Sequence, residues 1–267
     1  MRESPLRRGS AVRLPARGRL LATGDLHDNP VHLQKIIRLA KLDQSPDHHV
    51  VLHEMIHSER LVNNLDLSYR TLVRVAQLVL QYPKQVHPLL ANHELAQYTG
   101  KGVSKGAGNS VELFNDGLAY VFGDDWEPML DAIKTFITAM ALALIAGNGV
   151  FCAHSLPSVR MMKHFDLGVL ERELQPADFN SPEGSAHLMV WGRDHTVAQV
   201  DELAARWNVQ VFCIGHEHAP AGIEVKGRMI ILNSDHDRAV ALPLDLSQTP
   251  NTEEAWLSVI PLNALPA

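Results

Sequence analysis

The chain has 267 residues, with 24 lysines and arginines against 30 acids, for a formal charge of −6 with histidine neutral. Hydrophobic residues make up 46%, which is enough to bury a full core and too much for intrinsic disorder. Two cysteines, Cys152 and Cys213, exclude a disulfide scaffold. The most apolar stretch, Ile137 to Gly147, has about half of the roughly 20 residues a membrane span needs.

The first 19 residues hold six arginines and one acid, Glu3, so they carry +5 and leave −11 for the rest. This basic arm over 1–19 reads as a solvated tail leading into a single domain over 20–267. No apolar run follows the arginines, as a secretory signal would require, and the chain reads as cytoplasmic with both thiols reduced. Its acidic body argues against a nucleic-acid groove.

Leu20–Thr23 reads as a short buried strand ending at Gly24-Asp25-Leu26-His27-Asp28. Asn29 then caps, and Pro30 opens, a helix whose apolar positions run from Val31 to about Leu42. Val50–Leu52 is a second strand, stopping at His53-Glu54. The spacing of Leu72, Val75, Leu78 and Val79 predicts a helix within Leu67–Tyr82. Val86–Leu90, interrupted by Pro88, is a third strand and runs into Ala91-Asn92-His93-Glu94. The glycine-rich stretch Gly100–Gly108 matches neither a P-loop nor a dinucleotide fingerprint and reads as a mobile loop. Helices over Val111–Val121 and Trp126–Ile145 make a helical insertion at about 95–147 that caps or flanks the site. Val150–Ala153 is a strand ending at His154, Val197–Trp207 a helix, and Val209–Ile214 a strand ending at Gly215-His216-Glu217-His218. Gly222–Val225, Met229–Asn233, Ala239–Leu244 and Trp256–Ile260 read as closing strands.

Histidine is unusually frequent, at 15. Five segments share one design, an apolar run that stops at His, Asp, Asn or Glu: Asp25-x-His27, His53-Glu54, Asn92-His93-Glu94, His154 and His216-x-His218. Strand ends over an open α/β sheet are where ligand sites collect. Nitrogen and oxygen ligands without sulfur suit Mn, Fe or Zn, and there are more of them than one tetrahedral ion can use. The pattern therefore predicts two metal ions, the usual arrangement for in-line attack on phosphorus.

This order resembles the calcineurin-like metallophosphoesterase superfamily, closest to its serine/threonine phosphoprotein phosphatase branch. The family pattern runs GDxHG, GDxxDRG, GNHE, a histidine, then GHxH. Here it reads GDLHD (24–28), HEMIHSE (53–59), ANHE (91–94), CAHS (152–155) and GHEH (215–218). The resemblance implies an α/β fold, a two-sheet β-sandwich flanked by α-helices in four αββα layers. It implies two divalent or trivalent transition-metal ions (Mn, Fe or Zn), the first held by Asp25, His27 and His218 and the second by Asn92, His154 and His216. Glu54 falls where the family has its bridging aspartate. A hydroxide between the metals would attack a phosphomonoester or phosphodiester, small molecule or phosphoprotein. His93 would protonate the leaving oxygen, and Arg193 would bind phosphate oxygens.

The second motif departs furthest. Glu54 adds a methylene, His57 stands where the family has the aspartate that orients the proton-donating histidine, and Ser58 replaces a phosphate-gripping arginine, with Arg60 close by. Asp28 and Ala91 replace family glycines. A catalytically impaired binding module is the alternative these changes motivate. His53-Glu54-Met55-Ile56-His57 is also a literal H-E-x-x-H, which on a helix would make a zinc peptidase. Cys152 and Cys213 read as core residues. His48, His49 and His195 read as surface, and His32, His87, His164, His187 and His236 as structural or surface.

Overall fold

Successive side chains on a strand face opposite ways, and on the central strands that alternation decides the layers. Leu20, Ala22, Val51 and Leu242 pack in one cluster with Cys152, Cys213, Ile230 and Leu232. Their neighbours Leu21, Val50 and Leu52 pack instead with Leu33, Ile36, Leu72 and Val75, which lie on helices. Two sheets therefore share an inner core, and each presents its other face to helices.

The structure, a computed structural model, describes residues 1–102, 104–105 and 108–266. Its elements run β1 (Arg7–Arg8), β2 (Ala11–Leu14), β3 (Arg19–Thr23), α1 (Pro30–Ala40), β4 (His48–Leu52), α2 (Tyr69–Gln81), β5 (Val86–Pro88) and α3 (Asn92–Thr99). The antiparallel pair β6 (Ser104–Lys105) and β7 (Gly108–Asn109) follows, then α4 (Ser110–Phe122), α5 (Trp126–Thr138), β8 (Ala143–Ala146) and β9 (Val150–Ala153). Short helices α6 (Pro176–Asn180) and α7 (Ser185–Trp191) lead to α8 (Val197–Trp207) and β10 (Val211–Ile214). The chain closes with β11 (Ile223–Lys226), β12 (Met229–Leu232), β13 (Val240–Asp245), α9 (Thr252–Ser258) and β14 (Ile260–Pro261).

One sheet has seven strands in the order β1-β2-β8-β9-β10-β12-β11, and the other five in the order β14-β13-β3-β4-β5. Both are mixed. The parallel set β3-β4-β5 and the parallel set β9-β10-β12 deliver their C-terminal ends to one edge of the sandwich. Pro88 is tolerated because β5 is an edge strand. At α1, the Asn29 side chain accepts a hydrogen bond from the His32 amide at 3.0 Å, and Pro30 is the first helical residue, as the sequence predicts. Cys152 and Cys213 are in register on β9 and β10 and buried in the inner core. Among the described residues no helix is long and apolar enough to cross a membrane.

Four expectations need correction. The basic segment is not a solvated tail. Ala11, Val12 and Leu14 are buried in β2, parallel to β8, and Arg13 pairs with Glu171. The second insertion helix stops at Thr138, because Ala143–Ala146 is a fully buried strand whose continuous apolar run looks the same as buried helix. Trp256 lies on a helix capped by Asn251, and only Ile260 and Pro261 of that stretch form a strand. Gly100 is the left-handed C-cap of α3, and Gly108 belongs to β7, while 103, 106 and 107 of that glycine-rich stretch lie outside the described residues.

Candidate metal centre

The motif residues emerge at this common edge. Asp25 follows β3, Glu54 follows β4, His154 follows β9, His216 follows β10, and Asn92 and His93 open α3. Asp25 forms parallel bridges to both His53 and Asn233, so the two sheets meet at its backbone. The turns are tight. Among the described residues, five of the ten non-glycine residues with positive φ are here: His27 (39°), Asp28 (53°), Glu54 (51°), His57 (60°) and His216 (65°). Such conformations cost of order 1–3 kcal/mol each and concentrate at functional sites. Asp28 replaces a family glycine yet keeps the left-handed backbone, held by a hydrogen bond from the Thr71 hydroxyl. Ala91 needs no glycine, because its φ is −123°. Gly215 does, for space: a Cβ there would lie 2.2 Å from Asp25 Oδ1 and 2.6 Å from His53 Cε1.

Four side chains converge deep in the site. His154 Nε2 lies 2.6 Å from Asn92 Oδ1, 3.1 Å from His216 Nδ1 and 3.5 Å from Glu54 Oε2. His216 Nδ1 is 3.1 Å from the same Asn92 oxygen. In the absence of a cation the Asn92 amide can instead turn its nitrogen inward, donating to both histidines and to Glu54. Burial pushes His216 down to about 3 and His154 well below its ordinary range, so both rings are neutral and offer lone pairs. Four lone-pair donors on one point repel one another unless a proton or a cation stands among them. Bonds of about 2.0–2.2 Å to one ion would set its ligands roughly 3.3–3.6 Å apart, against 2.6–3.5 Å here, so the side chains would spread by some tenths of an ångström to seat one. The donor set therefore fits a metal.

Two further groups adjoin it, Asp25 with His53 and His154, and His27 with Glu54 and His93, each with ligand atoms within 4.8 Å of one another. Glu54 links the sides. Its Oε1 is 3.7 Å from His27 Nε2 and 3.4 Å from His93 Nε2, while Oε2 faces His154. The Glu54 backbone oxygen accepts from the amides of Leu26 and His27, which locks the second motif onto the first. Asp25 accepts from the His216 amide at 3.0 and 3.1 Å, and its Oδ1 is 3.5 Å from His53 Nδ1 and 3.6 Å from His154 Nδ1.

Two histidine pairs fix tautomers. His53 Nε2 donates to the Thr23 carbonyl at 2.9 Å, so its Nδ1 accepts from His154 Nδ1 at 3.1 Å, which leaves His154 Nε2 bare and aimed at Asn92. Burial holds His53 down to about 4, in keeping with a neutral ring. Likewise His57 Nε2 donates to Gln97 Oε1 at 2.9 Å, so His57 Nδ1 accepts from His93 Nδ1 at 3.1 Å. Protonated on Nε2 as well, His93 would be a cation between His57 and Glu54.

The outer side is open. His218 is exposed and stands apart from these clusters. It lines a cleft of about 710 Å³ together with His27, Arg60 and His236. Arg60 is exposed and donates to the backbone oxygens of His27 and Asp235. Arg193 is exposed and close enough to His216 to disfavour its proton. His195, expected on the surface, has a fully buried side chain between the Leu156 carbonyl (2.8 Å) and Glu217 (2.9 Å), and this contact takes the Glu217 carboxyl down to about 2. His49 is buried too, 3.2 Å from His87.

His53 and Gln97 were not singled out as supports by the sequence. Gln97 had a signal, since it follows His93 by four positions on one helix face. His53 had only the misleading H-E-x-x-H. That segment is not helical, Glu54 and His57 have left-handed backbones, and His53 and His57 turn to opposite partners, His154 and His93. The peptidase reading fails on that geometry.

The profile of the calcineurin-like phosphoesterase family (Metallophos) matches residues 18–220. No curated protein matches the chain in sequence. Among solved structures, a protein serine/threonine phosphatase from Saccharomyces cerevisiae is similar with a TM-score of 0.65, at 13% identity, over 95% of this chain and 82% of its own. A cold-active protein-tyrosine phosphatase of a psychrophilic Shewanella species gives a TM-score of 0.58 at 15% identity, over 92% of this chain and 80% of its own. At such identities the likeness speaks for the fold.

Proposed function

Because the chain belongs to the calcineurin-like phosphoesterase family, we propose that it hydrolyses a phosphomonoester or phosphodiester with two transition-metal ions of the Mn, Fe or Zn type. The observation that carries this reading is the convergence of Glu54, Asn92, His154 and His216 on one buried point. Asn92, His154 and His216 would hold one ion. Asp25 and His27 would hold the other, with His218 joining from the cleft wall and Glu54 reaching both. Bound there, the two cations would polarise the phosphoryl oxygens and supply a water acidic enough to attack at neutral pH.

The chain's own groups do the rest. His93 would pass the proton on its Nε2 to the leaving oxygen. Its other nitrogen rests on His57, and an imidazole steadies an imidazolium less than a carboxylate does, so good leaving groups are favoured. Arg60, and Arg193 near His216, would take the phosphoryl oxygens. With Ser58 in place of the family's gripping arginine, a small-molecule phosphoester is favoured over a phosphoprotein. The same changes at His57 and Ser58 motivate the second reading, a metal-binding module without turnover.

The test is elemental analysis of protein purified without chelator, followed by an aryl phosphate assay with Mn, Fe or Zn. Two ions per chain, and turnover lost in Asn92→Ala, support the proposal. Two ions with no turnover of any phosphoester would leave the binding module, and one ion or none would overturn the dinuclear site.

A further inference from the structure

A second depression opens beside the cleft, between the facing sides of α1 and α2, with a volume of about 680 Å³. Its banks follow helical spacing. Gln34 and Arg38 are one turn apart on α1, and Arg70 and Arg74 are one turn apart on α2. Leu33, Ile37 and Leu67 supply an apolar floor, and Arg60 closes the end that adjoins the cleft, lining both cavities. Four arginines thus surround one apolar groove on a chain whose net charge is −6. The one acid in the lining, Asp28, accepts from the Thr71 hydroxyl and lies close enough to Arg60 and Arg70 to feel their charge, so one carboxylate faces four arginines. Neither Arg70 nor Arg74 has a carboxylate within ion-pair distance among the described residues. Guanidinium groups over low-dielectric walls focus a positive field, and the volume is that of a small-molecule site.

We infer that this groove receives the leaving group of the substrate, an organic body of one or two rings carrying at least one negative charge beyond the scissile phosphate. The apolar body would lie on Leu33, Ile37 and Leu67 while Arg38, Arg70 and Arg74 take its anionic group. Arg60 stands between this group and the phosphate. The inference rests on the phosphoesterase reading for its reaction but not for its binding site.

The first test needs no turnover. Calorimetric titration with 2,6-naphthalenedisulfonate should show binding to the full chain, weakened about tenfold or more in the double variant Arg70→Ala/Arg74→Ala. No binding to the unaltered protein, or equal affinity for the variant with its fold intact by circular dichroism, would overturn the groove. The second test compares 2-naphthyl phosphate with 6-sulfo-2-naphthyl phosphate. The sulfonated ester should have the higher kcat/KM, and the ratio should fall about tenfold in the double variant. A ratio near one in the unaltered protein would overturn the assignment of the groove to substrate. Loss of all turnover with the disulfonate still bound would strike the phosphoesterase reading alone.

Discussion

The inner and outer halves of this site are built by different means. In the inner half, Asn92, His154 and His216 are anchored at a helix N-terminus and two strand ends, all less than 7% exposed and each within 3.1 Å of the next. In the outer half, His27 and His218 sit in loops, and Arg60 donates to the backbone oxygens of His27 and Asp235 beside them. Packed elements hold the inner half in place, whereas the outer half is exposed at the cleft. The inner half is thus expected to set metal affinity, and the outer half to set choice of substrate.

The harshest way to break that division is to remove an inner candidate ligand. His154→Ala should lower metal affinity and turnover by more than the 10–100-fold that a supporting partner is worth, measured by competition with a chelator dye. An equal loss from His218→Ala would erase the distinction between the halves. Next comes the support itself. His53→Ala frees His154 to adopt the wrong tautomer and should weaken metal binding about 10–100-fold, with His154 nitrogen chemical shifts reporting the change of protonated atom. His57→Asp should act elsewhere. It restores a carboxylate behind His93 and should raise kcat about tenfold for esters with poor leaving groups while leaving metal content unaltered.

Acid sharpens the comparison without mutation. Burial lowers His53 to about 4 and His87 and His216 to about 3 from an ordinary 6.5. Between those values the unfolded chain binds protons that the folded chain refuses. The stability of metal-free protein should therefore be complete above pH 6.5 and decline as pH falls toward 4, by up to about 1.4 kcal/mol per pH unit for each histidine. Urea midpoints across pH 4–8 would check it, and a flat profile would contradict the neutral inner cluster. The smallest effect is expected at Asp28→Gly, where relief of the left-handed backbone offsets loss of the Thr71 hydrogen bond. Stability should change by no more than about 1 kcal/mol.

This division also explains what could be read in advance. The strand-end pattern located β3, β4, β9 and β10 and the candidate ligands after them, because short apolar runs and polar stops are local signals. The capping of α1 by Asn29 and Pro30 was equally local. Strand β8 was hidden inside an apolar run that continues from α5, and its pairing with β2 and the ion pair of Arg13 with Glu171 each join positions more than 100 apart. His195 looked exposed in sequence because nothing local reveals the Leu156 carbonyl that meets it. The roles of His53 and His57 were obscured for the same reason, since a tautomer is set by partners that only the assembled sheets supply.

The bridge between Asp25 and the amide of His216 spans 191 positions of chain. The inner cluster draws on positions 54, 92, 154 and 216, so a nascent chain has no centre until β10 has docked. Contacts of such separation form late and slowly, because a long loop must close before they are rewarded. Uptake of metal should lag behind the collapse of the core, which makes the bound ion a reporter that the sandwich has closed.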